Sequence, residues 1–138
     1  KAFATGRGVP LMPLQGHDAV ALNTYTHGSE ADIIAGRARQ EPGLRVLQDA
    51  KRREIFATEY AGLDEAGLPL RSAQPHLITH AEYREDARDV WPGDVPADQL
   101  LRLAALRLAV GRGFEADRAL YLRAPDVYPS AAQKRVST

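Results

Sequence analysis

Arg45-Val-Leu-Gln-Asp-Ala-Lys-Arg-Arg-Glu-Ile-Phe-Ala-Thr-Glu-Tyr60 decides how this chain is read. Its apolar residues fall in two runs, 45–50 and 54–60, parted by Lys51, Arg52 and Arg53. Two such runs around a short polar break predict a hairpin with a basic tip. The stretch from Gly62 to Pro69 is the next turn, and Leu70 to Ile78 then predicts a third strand. Pro75 has no N–H to donate, which assigns that strand to a sheet edge.

Helices are expected on either side of these strands. Lys1 to Thr5 reads as the end of a helix, stopped at Gly6 and Gly8. Val9 to Leu14, interrupted by Pro10 and Pro13, suits only a short or edge strand. Asp18 to Tyr25 reads as a short helix, and Thr26 to Gly43 as a loop. Thr79-His80-Ala81-Glu82 matches a capping box, so a helix is expected to start there. Asp89 to Gly93, around Trp91-Pro92, reads as a break.

The strongest helical pattern runs from Ala97 to Val110 and stops at Gly111 and Gly113. At 100° per residue, Leu100, Leu101, Leu103, Ala104 and Leu108 share one broad arc. Arg107 falls inside that arc. A buried cation there requires a carboxylate or carbonyl partner, within the protein or across an interface.

The composition is that of a globular α/β chain: 138 residues, 44% hydrophobic, zero formal net charge and no cysteine. Zero net charge leaves no whole-chain field to draw in nucleic acid or anionic lipid. The lack of cysteine excludes a disulfide framework, a thiolate metal site and a cysteine nucleophile, and suits a cytoplasmic protein. No apolar run approaches the roughly 20 residues of a membrane helix.

The chemistry-bearing residues are sparse. His76-Leu-Ile-Thr-His80 has the spacing of a helical metal pair, but it lacks the glutamate of a zinc protease. The capping box also puts the two histidines on different elements, so no metal site is expected. None of the serines has the glycine neighbours of a nucleophile elbow. Lys51, Arg52 and Arg53 could meet a phosphate or an acidic partner, and so could Arg107. The plainer reading of the tip is a solvated turn. Asp49, at a strand end beside three cations, suits an ion pair better than a catalytic base.

Four blocks, taken in order, resemble the TsaB (YeaZ) family. Lys1-Ala-Phe-Ala-Thr-Gly-Arg-Gly-Val-Pro-Leu11 resembles the close of that family's first lobe. Val46 to Tyr60 resembles its "D-A-R-x-x-E-x-Y" hairpin, with Asp49, Ala50, Arg52 or Arg53, Glu54 and Phe56 in the motif. The helix from Ala97 matches in character. Ala119-Leu-Tyr-Leu-Arg-Ala-Pro-Asp126 resembles the terminal "P-L-Y-L-R-x-P-D", with Tyr121, Leu122 and Arg123 in place and Ala119 replacing proline. The family's opening segment has no counterpart here. Its "V-G-x-G-A" stretch is replaced by the shorter Ala87-Arg-Asp-Val-Trp-Pro92.

The resemblance implies an actin-like, ribonuclease-H-like α/β lobe, a mixed sheet flanked by helices, truncated at its amino-terminal side. Residues 1–30 would be a remnant of a first lobe and 31–118 the second lobe. Residues 119–126 would form a terminal packed segment with Leu120 and Leu122 facing inward, and 127–138 a mobile tail. It also implies a non-catalytic scaffold without cofactors. Such a scaffold supports a TsaD-like catalytic subunit and a TsaE-like ATPase in adding threonylcarbamoyl to the adenosine beside the tRNA anticodon. A homodimer is compatible with it, tRNA would be met only indirectly, and no membrane is involved. The alternative is an ATP-binding actin-like enzyme or a peptidase homologue.

Overall fold

A computed structural model describes residues 2–27, 43–118, 120 and 122. Among the described residues there are three helices and five strands: α1 (Ala2–Arg7), α2 (Gly16–His27), β1 (Leu44–Lys51), β2 (Glu54–Leu63), β3 (Pro69–Arg71), β4 (His76–Thr79), β5 (Asp89–Val90) and α3 (Ala97–Ala109). The sheet runs β3-β2-β1-β5, with β4 also paired to β2.

The expected hairpin is the centre of the sheet. Strands β1 and β2 are antiparallel, in a register that sets Val46 against Thr58 and Leu47 against Ala57. Alternation then sorts the side chains onto two faces. One face carries Leu44, Val46 and Tyr60, packed on Val20 and Ala21 of α2. The other buries Leu47, Ile55 and Ala57 beneath Ile78 and Tyr83. A further cluster joins the helices, where Leu22 of α2 meets Leu103 of α3 and Leu68 of the β2–β3 turn.

Helix α2 is wedged between the sheet and α3, and its residues from His17 to Leu22 are all buried. It is therefore integral to the sheet's core.

The predicted edge strand is two strands. Both β3 and β4 lie along the same side of β2, β3 against Tyr60–Leu63 and β4 against Glu54–Ala57. The intervening Ser72-Ala73-Gln74-Pro75 makes no ladder, consistent with a proline that cannot donate. Val9 to Leu14 forms no strand at all.

The capping box forms, but no helix follows it. The Thr79 hydroxyl pairs with the Glu82 carboxylate at 2.6 Å, and Glu82 N–H donates to Thr79 Oγ1 at 3.2 Å. Only a turn covers residues 80–82. The reason lies downstream, where β5 must reach β1 as its parallel neighbour. Arg45 donates to both oxygens of Asp89 and also to the Arg84 carbonyl at 2.8 Å, drawing that carbonyl away from helical use. The Tyr83 hydroxyl and the Asp86 N–H complete the grip on Asp89. Burial by itself would raise the Asp89 carboxyl; these hydrogen bonds outweigh it and hold the group below the usual carboxylate range.

On α3 the buried arc is narrower than its leucines suggest. Gln99, Leu103 and Ala104 are buried, whereas Leu101 is 73% and Leu108 59% exposed. Leu120, expected to face inward, is also 59% exposed, and Leu122 is half-buried. No helix among the described residues is long and apolar enough to cross a membrane.

Gly43 leads into β1 at a close approach of chains. A Cβ there would stand 2.7 Å from the Tyr60 carbonyl oxygen, which is backbone and cannot swing aside. Gly43→Ala is expected to destabilise the fold by about 1–3 kcal/mol. A shift of that size in the urea midpoint, at unchanged slope, is the check.

Candidate functional site

The sequence candidates separate into two places. Asp49, Lys51, Arg52, Arg53 and Glu54 gather at the β1–β2 tip. Arg107 sits apart from them, in a half-buried ion cluster at the end of α3. Tyr121 and Arg123 lie outside the described residues, as does the tail 127–138.

The tip is a two-residue turn. Lys51 pairs with Glu54 across it, and Ala50 is an extra residue on β1, because the register shifts between Asp49 and Lys51. Arg52 and Arg53 both have positive φ, at 52° and 63°, the pattern of a type I′ turn. Lys51 has φ 63° as well. Three successive side-chain-bearing residues therefore occupy the left-handed region, at roughly 1–2 kcal/mol each relative to ordinary backbone. Asn-Gly is the sequence that adopts such a turn with least strain.

Local bonds hold the tip in this shape. Asp49 accepts from the Lys51 N–H at 2.8 Å and from Lys51 Nζ at 3.0 Å. These two bonds hold the Asp49 carboxyl below its ordinary range, the backbone bond foremost. The His80 N–H donates to the Arg53 carbonyl at 2.9 Å, tying the tip to the turn after β4. Lys51, Arg52 and Arg53 are all exposed. A backbone phosphate cradle requires free amides, usually from glycines. Here the Lys51 amide is already taken and the tip holds no glycine.

The second place is built around Asp18, near the start of α2, which is only 2% exposed. Its Oδ1 accepts from the Tyr60 hydroxyl and from Arg71 Nε, both at 2.8 Å. Its Oδ2 faces Arg71 Nη2 and, at 3.4 Å, Arg107 Nη2. Glu115 closes the cluster, 2.7 Å from Arg71 and 3.8 Å from Arg107. Arg107 Nη1 also donates to the Gly113 carbonyl at 2.7 Å. The arginine inside the apolar arc is thus paired within the protein. Burial, and then the Asp18 carboxylate, push the Tyr60 hydroxyl far above its ordinary value.

Two carboxylates and two guanidiniums balance in charge, and Asp18 has its lone pairs committed. That arrangement ties α2, β2, β3 and α3 together and leaves Asp18 no role as a base. An open cleft of about 460 Å³ adjoins the cluster, lined by Gln15, Arg71, Gln74, Glu115 and Arg118 among others. Asp18, Arg71 and Glu115 carried no sequence signal: Arg71 is 53 positions from Asp18, and Arg107 is 89.

The two histidines of the His76–His80 pair lie on different elements. His76 is on β4 and His80 in the turn after it. Among the described residues, no group of three or more His, Asp or Glu could hold a metal ion. His17, on α2, is 1% exposed, stacked on Phe56 at 4.2 Å, with Nδ1 2.9 Å from Thr58 Oγ1. Burial lowers its pKa to about 4, against the opposing pull of Gln48 and Asp18.

Comparison with solved structures places the fold. The chain is similar to the crystal structure of an uncharacterized protein with similarity to peptidase YEAZ from Pseudomonas aeruginosa, at a TM-score of 0.60 and 20% sequence identity. The likeness covers 88% of this chain and 63% of that one. The chain therefore has a YeaZ-like mixed α/β fold and spans less than two-thirds of that solved chain. No family model matches the chain. No curated protein matches it either.

Proposed function

We propose that this chain is the sheet-bearing part of a TsaB (YeaZ)-type subunit, an actin-like lobe acting as a non-catalytic scaffold. In that role it supports a TsaD-like catalytic subunit, which a TsaE-like ATPase joins, in adding threonylcarbamoyl to the adenosine beside the tRNA anticodon. The observation that carries the reading is the YeaZ-like fold over 88% of the chain. The ordered sequence blocks, from Lys1–Leu11 to Ala119–Asp126, point the same way.

The residue chemistry fits a scaffold better than an enzyme. The hairpin that would cradle phosphate is closed by three basic residues in the left-handed region. Its one clamped carboxylate, Asp49, is bound to its own neighbour. The buried carboxylate, Asp18, is fully engaged by Tyr60 and Arg71. The contact to tRNA would run through the catalytic partner, in keeping with the zero net charge.

Co-expression of the tagged chain with a TsaD-like subunit tests this. The two are expected to elute together from gel filtration as one complex. Separate elution at every concentration tried would count against a scaffold of this type.

A further inference from the structure

We propose that the cleft beside the Asp18 cluster binds a single carboxylate carried on an apolar body. That chemistry is shared by a free organic acid and the carboxyl end of a peptide. The proposal stands on the cleft's own residues and is independent of the complex proposed above.

The cleft, about 460 Å³, lies among the segments before α2, between β3 and β4, and after α3. Two contacts fix its walls to one another. The Glu115 N–H donates to the Pro13 carbonyl at 3.0 Å. The Glu115 carboxylate accepts from Arg71 at 2.7 Å.

Charge at the cleft is unbalanced by one cation. Asp18 and Glu115 offset Arg71 and Arg107, and Arg118 adds a further guanidinium to the lining. Arg118 is exposed, and its side chain has no partner among the described residues. Arg71 also has donors to spare. Its Nε and Nη2 are taken by Asp18 and Glu115, whereas Nη1 has no partner among the described residues and is not buried. Two guanidiniums with open donors and one uncompensated charge suit one carboxylate, an oxygen to each. A phosphate dianion would bring a second charge that only Glu115 faces, and Glu115 repels it.

The uncharged lining selects what carries the carboxylate. Leu120 is 59% exposed and Leu14 is half-buried, so a ligand with an apolar side chain would take leucine surface out of water. Gln15 gives its Nε2 to Thr58 at 3.1 Å, which leaves its Oε1 as an acceptor. Gln74 lines the same cleft with an exposed amide. An amide next to the carboxylate would find both a donor and an acceptor there.

The test titrates the whole chain, isotope-labelled, and follows its amides by NMR. The probes are N-acetylleucine, its uncharged analogue N-acetylleucinamide, inorganic phosphate, and an acetylated tripeptide ending in leucine. N-acetylleucine is expected to shift residues 14–15, 71–74 and 115–118 saturably, and more weakly as salt rises. N-acetylleucinamide and phosphate should bind about fivefold more weakly or less. Arg118→Gln is expected to lower the affinity for N-acetylleucine about threefold to fivefold, and Arg118→Glu to lower it further. Both variants should melt with the wild type, because the Arg118 side chain holds nothing among the described residues. Tighter binding of the tripeptide assigns the site to a peptide end; equal or weaker binding assigns it to a free acid. Three results overturn the proposal: no saturable shifts at these residues with either acid, equal or tighter binding of N-acetylleucinamide or phosphate, or unchanged affinity in Arg118→Glu.

Discussion

Asp18→Ala is expected to destabilise the protein by about 3–5 kcal/mol, the largest single-residue effect in this structure. The change removes one carboxylate that accepts from three side chains. The Tyr60 hydroxyl loses its acceptor at 2.8 Å and Arg71 loses two bonds. Arg107 is left to Glu115 and the Gly113 carbonyl. The cost comes mainly from the Tyr60 hydroxyl and Arg71 losing their acceptor, with Glu115 alone left to balance two half-buried guanidiniums. Asp18→Asn keeps the shape and an acceptor but loses the charge, so its loss should fall between wild type and alanine. Urea unfolding followed by circular dichroism measures both. A loss below about 1 kcal/mol for Asp18→Ala would mean the cluster is not a structural tie.

The second large effect is a pH dependence set by His17. Its folded pKa is about 4, against an ordinary value of 6.5, because burial disfavours the imidazolium. Asp18 beside it and Arg71 on β3 act in opposite directions, raising and lowering it. Between those two pH values the unfolded chain binds the proton and the folded one does not. Stability is therefore full above about pH 6.5 and falls as the pH drops towards 4. The difference amounts to roughly 3 kcal/mol. The carboxylates with lowered values, such as Asp89, work in a different window. Their contribution is present above the unfolded carboxylate pKa and is lost only as pH falls through their lower folded values. His17→Gln should thus lower stability at neutral pH yet flatten its slope between pH 6.5 and 4. An undiminished slope in that variant would assign the effect to another group.

These two residues also mark where sequence reading stopped. The β1–β2 hairpin was legible because alternation and a basic break occur within one short stretch. The extent of α3 was legible from its leucine pattern and terminal glycines. Periodicity puts Leu101 and Leu108 on one arc with Leu103 but does not say which part of the arc the chain itself covers, and Leu120 is exposed where alternation faces it inward. Thr79 and Glu82 were read correctly as partners and wrongly as the start of a helix. Local pairing was visible, whereas the pull of Arg45 on the Arg84 carbonyl, 39 positions away, was not. Strand β5 has two residues and owes its place to the Arg45–Asp89 pair, so no periodic signal could announce it. Arg107 is a long-range tie with a sequence cue, since a cation among leucines requires a partner. Its partner Asp18 could not be named, because nothing local distinguishes that aspartate from its exposed counterparts.

The scaffold reading and the YeaZ-like fold meet in one assay. Threonylcarbamoyladenosine in tRNA is quantified by nucleoside mass spectrometry after reaction with threonylcarbamoyl adenylate. The reaction contains this chain alone, a TsaD-like and a TsaE-like subunit alone, or all three together. A non-catalytic scaffold gives no product alone, and the three together give more product than the pair. Product formed by the chain alone, or a yield that ignores its presence, would contradict it.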